Sequence, residues 1–115
     1  MTIKQDTRIH RTTMFKVPDA ENQRKLMEAY QTLSKTQVKG DQPYILYVCA
    51  GLAADEPLSK GYTVVAHTMF KNVEDMRYFD NECAAHAAVK KTAASLGMTE
   101  PPLAVYFEGQ PALSK

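Results

Sequence analysis

No apolar run in this chain approaches the length that spans a membrane, and neither sign of charge dominates. Fourteen basic side chains stand against 13 acidic ones, a formal net charge of +1. The first absence leaves no membrane partner to expect. The second removes the basic stripe of a nucleic-acid binder, and no run of like charges forms a tail. Cysteine is scarce, with only Cys49 and Cys83. Residues 1–10 are polar and lack the apolar segment of a secretory signal. Two thiols without such a signal fit a reducing compartment, so the cytoplasm is the expected location. There is no phosphate-cradling loop, dinucleotide fingerprint or zinc ribbon. No cofactor and no metal is therefore expected. Internal repeats, linkers and low-complexity stretches are also lacking.

What is present is the material of one domain. The chain has 115 residues, 44% of them apolar, enough for a compact core. One domain is expected over residues 1–115, with its core at about 8–109. Residues 8–16 read as a strand, since Ile9, Thr12, Thr13 and Phe15 are β-formers. Pro18 ends it and Asp19 is placed to cap a helix over 20–37. There Leu26, Met27, Tyr30 and Leu33 share one apolar face, and Gly40 follows as a stop signal. A second strand is expected over 43–51 and a third over 62–71. From a cap at Asn72, a helical stripe runs Met76, Phe79, Cys83, His86, Val89, Ala93, Leu96, with Asn81-Glu82 as a place to break. Gly97 ends it. Residues 103–108 form the last strand.

This βαββαβ order predicts an α+β, ferredoxin-like fold: a four-stranded antiparallel sheet with two helices on one face. A sheet covered on one side should alternate apolar and polar residues. The second and third strands do not, and Tyr, Ile, Leu, Val and Met occupy both faces. An apolar face left bare on one chain points to a second sheet packed against it, most simply from an identical chain. A homodimer through the sheet face is expected; the alternative is a monomer with scattered apolar surface residues.

Gly61-Tyr62-Thr63, Phe70, Val73-Glu74-Asp75-Met76 and Cys83-Ala84-Ala85-His86 follow one another in an order and spacing that resemble the stress-responsive dimeric α+β barrel family, Dabb, and its fungal members in particular. Met14-Phe15-Lys16-Val17-Pro18 and Pro43-Tyr44-Ile45 fit the same pattern. The resemblance spans residues 8–108. It implies a homodimer whose two sheets make one barrel with helices outside, and a pocket between sheet and helices in each subunit. Members of the family include a plant polyketide cyclase that performs an aldol condensation without metal or organic cofactor. Its helix histidine falls on His86. Its partner tyrosine, six residues earlier, falls on Asp80. One extra residue between Phe70 and His86 brings Phe79 into that register instead, and Tyr78 faces elsewhere on helical geometry. The catalytic pair is thus not reproduced, and activity does not transfer with the fold.

His86 is the leading candidate for chemistry. On an apolar stripe its pKa would be lowered by burial, and a neutral imidazole there could act as a general base. The alternative is a core histidine bonded to a strand carbonyl or a tyrosine. Cys83 shares its face at a spacing of three residues, which allows the start of a metal site or a Cys–His pair. No second ligand pair and no oxyanion hole supports either. Tyr30, His67, Phe79, Cys83 and Tyr47 are the expected pocket residues. His10 and Arg11 could point polar groups into a pocket or stand at an edge in water. The expected function is a dimeric pocket protein for a hydrophobic small molecule. If it is an enzyme, it is a cofactor-free cyclase or lyase for polyketide-like carbonyl compounds, with His86 as general acid/base and a strand tyrosine or His67 assisting. A non-catalytic binding or structural dimer is one alternative, and a cofactor-free monooxygenase of the same architecture is another.

Overall fold

The computed structural model describes residues 6–109; the first five residues of the polar N-terminal stretch lie outside it. Its elements are β1 (Ile9–Phe15), α1 (Ala20–Thr36), β2 (Tyr47–Leu52), β3 (Val64–Phe70), α2 (Val73–Asn81), α3 (Ala84–Ala94) and β4 (Leu103–Glu108), with a short 3₁₀ turn at Pro57–Ser59. The four strands make one sheet in the order β2-β3-β1-β4, and every neighbouring pair is antiparallel. No helix among the described residues is long and apolar enough to cross a membrane.

Burial along α1 follows its predicted stripe, with Leu26, Tyr30 and Leu33 inside. Asp19 stands at the N-cap, but its side chain makes no capping bond; its backbone oxygen accepts from the Gln23 N–H at 2.9 Å. The second strand starts later than its composition predicts. Gln37 at the end of α1 is buried, and its Oε1 accepts from the backbone N–H groups of Tyr44 and Ile45 at 2.9 and 3.0 Å. Those donors are thereby taken from any ladder, and Pro43 has none to give. Pairing begins where the Leu46 N–H donates to the Met69 oxygen at 2.8 Å.

The second of the two expected helices is broken, at the Asn81-Glu82 place its sequence offers, which makes three. The N–H groups of Glu82 and Cys83 both donate to the Tyr78 oxygen, at 2.8 and 2.9 Å. Cys83 then adopts extended backbone, φ −71° and ψ 115°, and becomes the N-cap of α3. Asn72 caps α2 as expected, its Oδ1 accepting from the Asp75 N–H at 2.9 Å.

Strand register divides the sheet into two faces. Toward the helices point Ile9, Phe15, Val64, Ala66, Thr68 and Phe70, all buried. The opposite face carries three rows across the strands: Tyr47, Met69, His10, Phe107; Cys49, His67, Thr12, Val105; and Gly51, Val65, Met14, Leu103. No described residue covers them, and Tyr47, Leu103, Val105 and Phe107 stay 40–54% exposed. His10 stacks on Phe107, ring centroids 4.7 Å apart.

On the helix side, α1 packs against α3, β2 and β3, and α2 against β3, whereas the one extensive packing partner of β4 is β1. The layer of helices therefore does not close over the β1–β4 edge. The gap is where the candidate site lies.

Candidate functional site

A cavity of about 390 Å³ opens between β1, β4 and α3. Phe15, Val89, Ala93, Met98, Pro102 and Ala104 make most of its wall apolar. Its polar groups come from four elements: Arg11 and Thr13 on β1, Tyr30 on α1, Asp80 on α2, and His86 and Lys90 on α3. A volume of this size with a few convergent polar groups is what small-molecule sites have in common.

His86 is 7% exposed. Its ring lies flat on Phe79, centroids 3.6 Å apart and planes 10° apart. Nδ1 stands 2.8 Å from the Phe79 backbone oxygen. A carbonyl can only accept, so Nδ1 carries the proton and Nε2 keeps the lone pair. Burial lowers the pKa of the ring to about 4, against the raising effect of the Phe79 bond and with a smaller lowering from the positive charge of Lys90. At neutral pH the imidazole is therefore uncharged, with a basic nitrogen left for the cavity.

Arg11 Nη1 donates to Asp80 Oδ2 at 2.7 Å. The Arg11 Nε is buried and has no partner among the described residues, and its guanidinium carbon lies 5.7 Å from the centre of the Phe79 ring. Lys90 Nζ donates to the backbone oxygen of Asp80 at 2.5 Å. Tyr30 is buried, its ring edge-on to Phe15 at 6.1 Å. Burial pushes its phenol up to about 12, so the hydroxyl remains a donor at neutral pH.

The family-level profile of the stress responsive A/B barrel domain, Dabb, matches residues 9–97. The chain belongs to that family. A fungal relative, the fusaristatin A biosynthesis cluster protein of Gibberella zeae, is 40% identical to this Dabb chain over 103 residues, 90% of the chain and 74% of the relative. Among solved structures, a dimeric ferredoxin-like protein of unknown function from Jannaschia sp. CCS1 has a TM-score of 0.71 at 15% identity, covering 88% of this chain and 98% of that one. A hydroxynitrile lyase from Passiflora edulis has a TM-score of 0.70 at 11% identity, covering 95% and 99%. A monooxygenase from ActVA-Orf6 of Streptomyces coelicolor, solved with nanaomycin D, has a TM-score of 0.66 at 21% identity, covering 96% and 93%. At these identities the likeness establishes the Dabb fold, not an activity.

Within that fold, Tyr30 and His86 meet at one cavity, and Phe79 backs His86. Cys83 is buried at the helix break and does not line the cavity. His67 and Tyr47 stand on the bare face of the sheet, rings 5.7 Å apart, with the sheet between them and the cavity. Tyr78 does face elsewhere: its hydroxyl donates to the Val38 oxygen at 3.2 Å. Asp80, six residues before His86, holds Arg11. This ion pair joins residues 69 apart in sequence. Its one sequence signal was a charged residue on a strand otherwise made of β-formers. Lys90, on the helical turn after His86, carries no signal of its own in the sequence, because surface lysines are common on helices.

Proposed function

We propose that this Dabb protein is a homodimer that binds a hydrophobic carbonyl compound in the cavity above β1 and β4 and acts on it without a cofactor, as a cyclase or lyase of polyketide-like substrates. The observation that carries the reading is the tautomer of His86. With Nδ1–H committed to the Phe79 oxygen, Nε2 is the nitrogen left to accept a proton on the cavity wall.

In such a reaction Nε2 takes a proton from the carbon next to a carbonyl. The electron pair of that C–H bond becomes the enolate, and the Tyr30 hydroxyl donates to the enolate oxygen. The carbon then attacks a second carbonyl of the same molecule. A C–C bond forms, and the proton on Nε2 passes to the new alkoxide. No atom is left over and no electron donor or acceptor is needed. Support for a small biosynthetic substrate comes from the fungal relative, a fusaristatin A biosynthesis cluster protein. Support for the dimer comes from the bare apolar face and from solved neighbours described as dimeric.

The second reading is a binding protein without turnover. It is favoured by the pKa of about 4 at His86, since a general base works best with a pKa near the working pH. One experiment separates the two readings. The methyl protons of an acetylnaphthalene exchange slowly in D2O, and NMR follows their loss. Catalysed exchange that disappears in His86→Gln is the enzyme outcome. Binding without catalysed exchange is the outcome for the passive pocket.

A further inference from the structure

We infer that the cavity takes an acid: a hydrophobic molecule whose carboxylate is received by Arg11, with its apolar body against Phe15, Val89, Ala93 and Met98. The inference rests on the cavity being the binding site, as proposed above, and adds the charge of what enters it.

Arg11 is the reason. It projects from an inner strand, and its side chain is only 13% exposed. A guanidinium so far out of water needs acceptors for its five N–H donors. Asp80 meets that need at Nη1 alone. The other edge of the fork, Nε with Nη2, has no acceptor among the described residues, and Nε is sealed from water. That edge is the one that grips a carboxylate with two parallel hydrogen bonds. Asp6 and Arg8 show the same edge in use in this chain, with Nε and Nη2 donating to the two carboxylate oxygens at 3.0 and 2.8 Å. In Arg11 that edge is free for a ligand oxygen, with Nη2 its accessible end.

The surrounding charge agrees. Lys90 is the second cation of the cavity wall, and Asp80 its one acid. A shallower hollow of about 260 Å³ shares Arg11, Asp80 and Ala104 with the cavity and adds Arg77. Three cations therefore flank one carboxylate along this path. An entering carboxylate reduces the excess, whereas a neutral ketone leaves it whole. Opposite charge in a partly dry site is also worth more than in water.

The ligand pair that tests this differs only in charge: an acetylnaphthalene and the acetylnaphthoate that carries a ring carboxylate. Calorimetric titration is expected to give the acid at least tenfold tighter binding than the ketone. Arg11→Met should abolish that preference. Asp80→Asn releases Nη1 without removing the arginine, and should raise the acid-to-ketone ratio further, which keeps the test decisive should Arg11→Met fail to fold. Equal affinities for the two compounds overturn the inference, as does an acid preference unmoved by either variant. The general-base reading fails separately: an acid preference without His86-dependent exchange removes the chemistry and leaves the anion site. Exchange on the ketone without an acid preference does the reverse. A protein that binds neither compound overturns both.

Discussion

Phe79 holds His86 by two contacts at once: its ring lies 3.6 Å from the imidazole and nearly parallel to it, and its carbonyl oxygen accepts a hydrogen bond from Nδ1–H at 2.8 Å. The contacts come from either side of the helix break, since Phe79 ends the buried face of α2 and His86 begins that of α3. Orientation and tautomer of the ring are set together. The break is what lets residues seven apart meet in this way.

The first consequence concerns His86 itself. His86→Ala removes a packed ring and leaves the Phe79 oxygen unpartnered. The expected loss is about 3 kcal/mol of folding stability, read from urea unfolding. His86→Gln keeps more of the volume and can still donate to that oxygen, so it should lose less. In the proton-exchange assay both variants should fall by a factor on the order of 10² to 10⁴, the range for a positioned general base.

Acid should unfold the protein partly through this residue. The folded pKa, about 4, lies below the 6.5 or so of a histidine in water. The unfolded chain therefore takes up the proton first as pH falls, and stability drops between about pH 6.5 and pH 4. Above that window the group has no effect; below it the loss is complete. Its size is roughly 3 kcal/mol, from 2.3RT per pH unit. Urea unfolding of wild type and His86→Gln across the window checks it. The stability gap between them should narrow on acidification, and a gap independent of pH would show the ring titrating normally. Any His86-dependent rate should likewise hold down to about pH 4 rather than fade near 6.5.

Much of the fold was legible because it is written in local periodicity. The face of α1 that carries Leu26, Tyr30 and Leu33 was legible from spacing, and the helix starts at Asp19 and Asn72 from residue type, though only Asn72 caps with its side chain. The helix break was not, because the stripe Met76, Phe79, Cys83, His86 keeps helical spacing straight through it; only the polar Asn81-Glu82 marked the place. The late start of β2 depends on Gln37 reaching back to Tyr44 and Ile45, a side-chain contact with no periodic signature. At the site, His86 and Tyr30 stood out as polar groups on buried faces. Pairing Arg11 with Asp80 needs the tertiary fold. So does placing His67 and Tyr47, because strands apolar on both faces do not reveal which face is covered.

Tyr30 is the donor that the geometry offers in place of a helix tyrosine. Its hydroxyl is protonated at neutral pH like that of any tyrosine, and burial raises its pKa further, to about 12. Tyr30→Phe keeps the ring against Phe15 and removes the donor alone. Folding stability should change by no more than about 1 kcal/mol. Turnover should fall on the order of 10², as when one oxyanion donor is removed, with KM little changed. An equal loss in binding and no loss in turnover would make Tyr30 part of the pocket wall and nothing more.

The bare face of the sheet gives the last prediction. Its middle row runs Cys49, His67, Thr12, Val105, and the adjoining row ends in Phe107 beside His10. Val105 and Phe107 are about half exposed on the single chain, an arrangement suited to burial against a second sheet. Light scattering at micromolar concentration should return the mass of two chains. Val105→Asp puts a charge into the centre of the proposed contact, where it would be desolvated without a partner. The variant should run as a monomer with an unchanged far-UV circular dichroism spectrum, because Val105 has no part in the core beneath the helices. Phe107→Asp should do the same from the next row. The cavity lies on the other side of the sheet, so a folded monomer would also show whether ligand binding needs the second chain. A dimer mass surviving both substitutions would place the subunit contact elsewhere on the molecule.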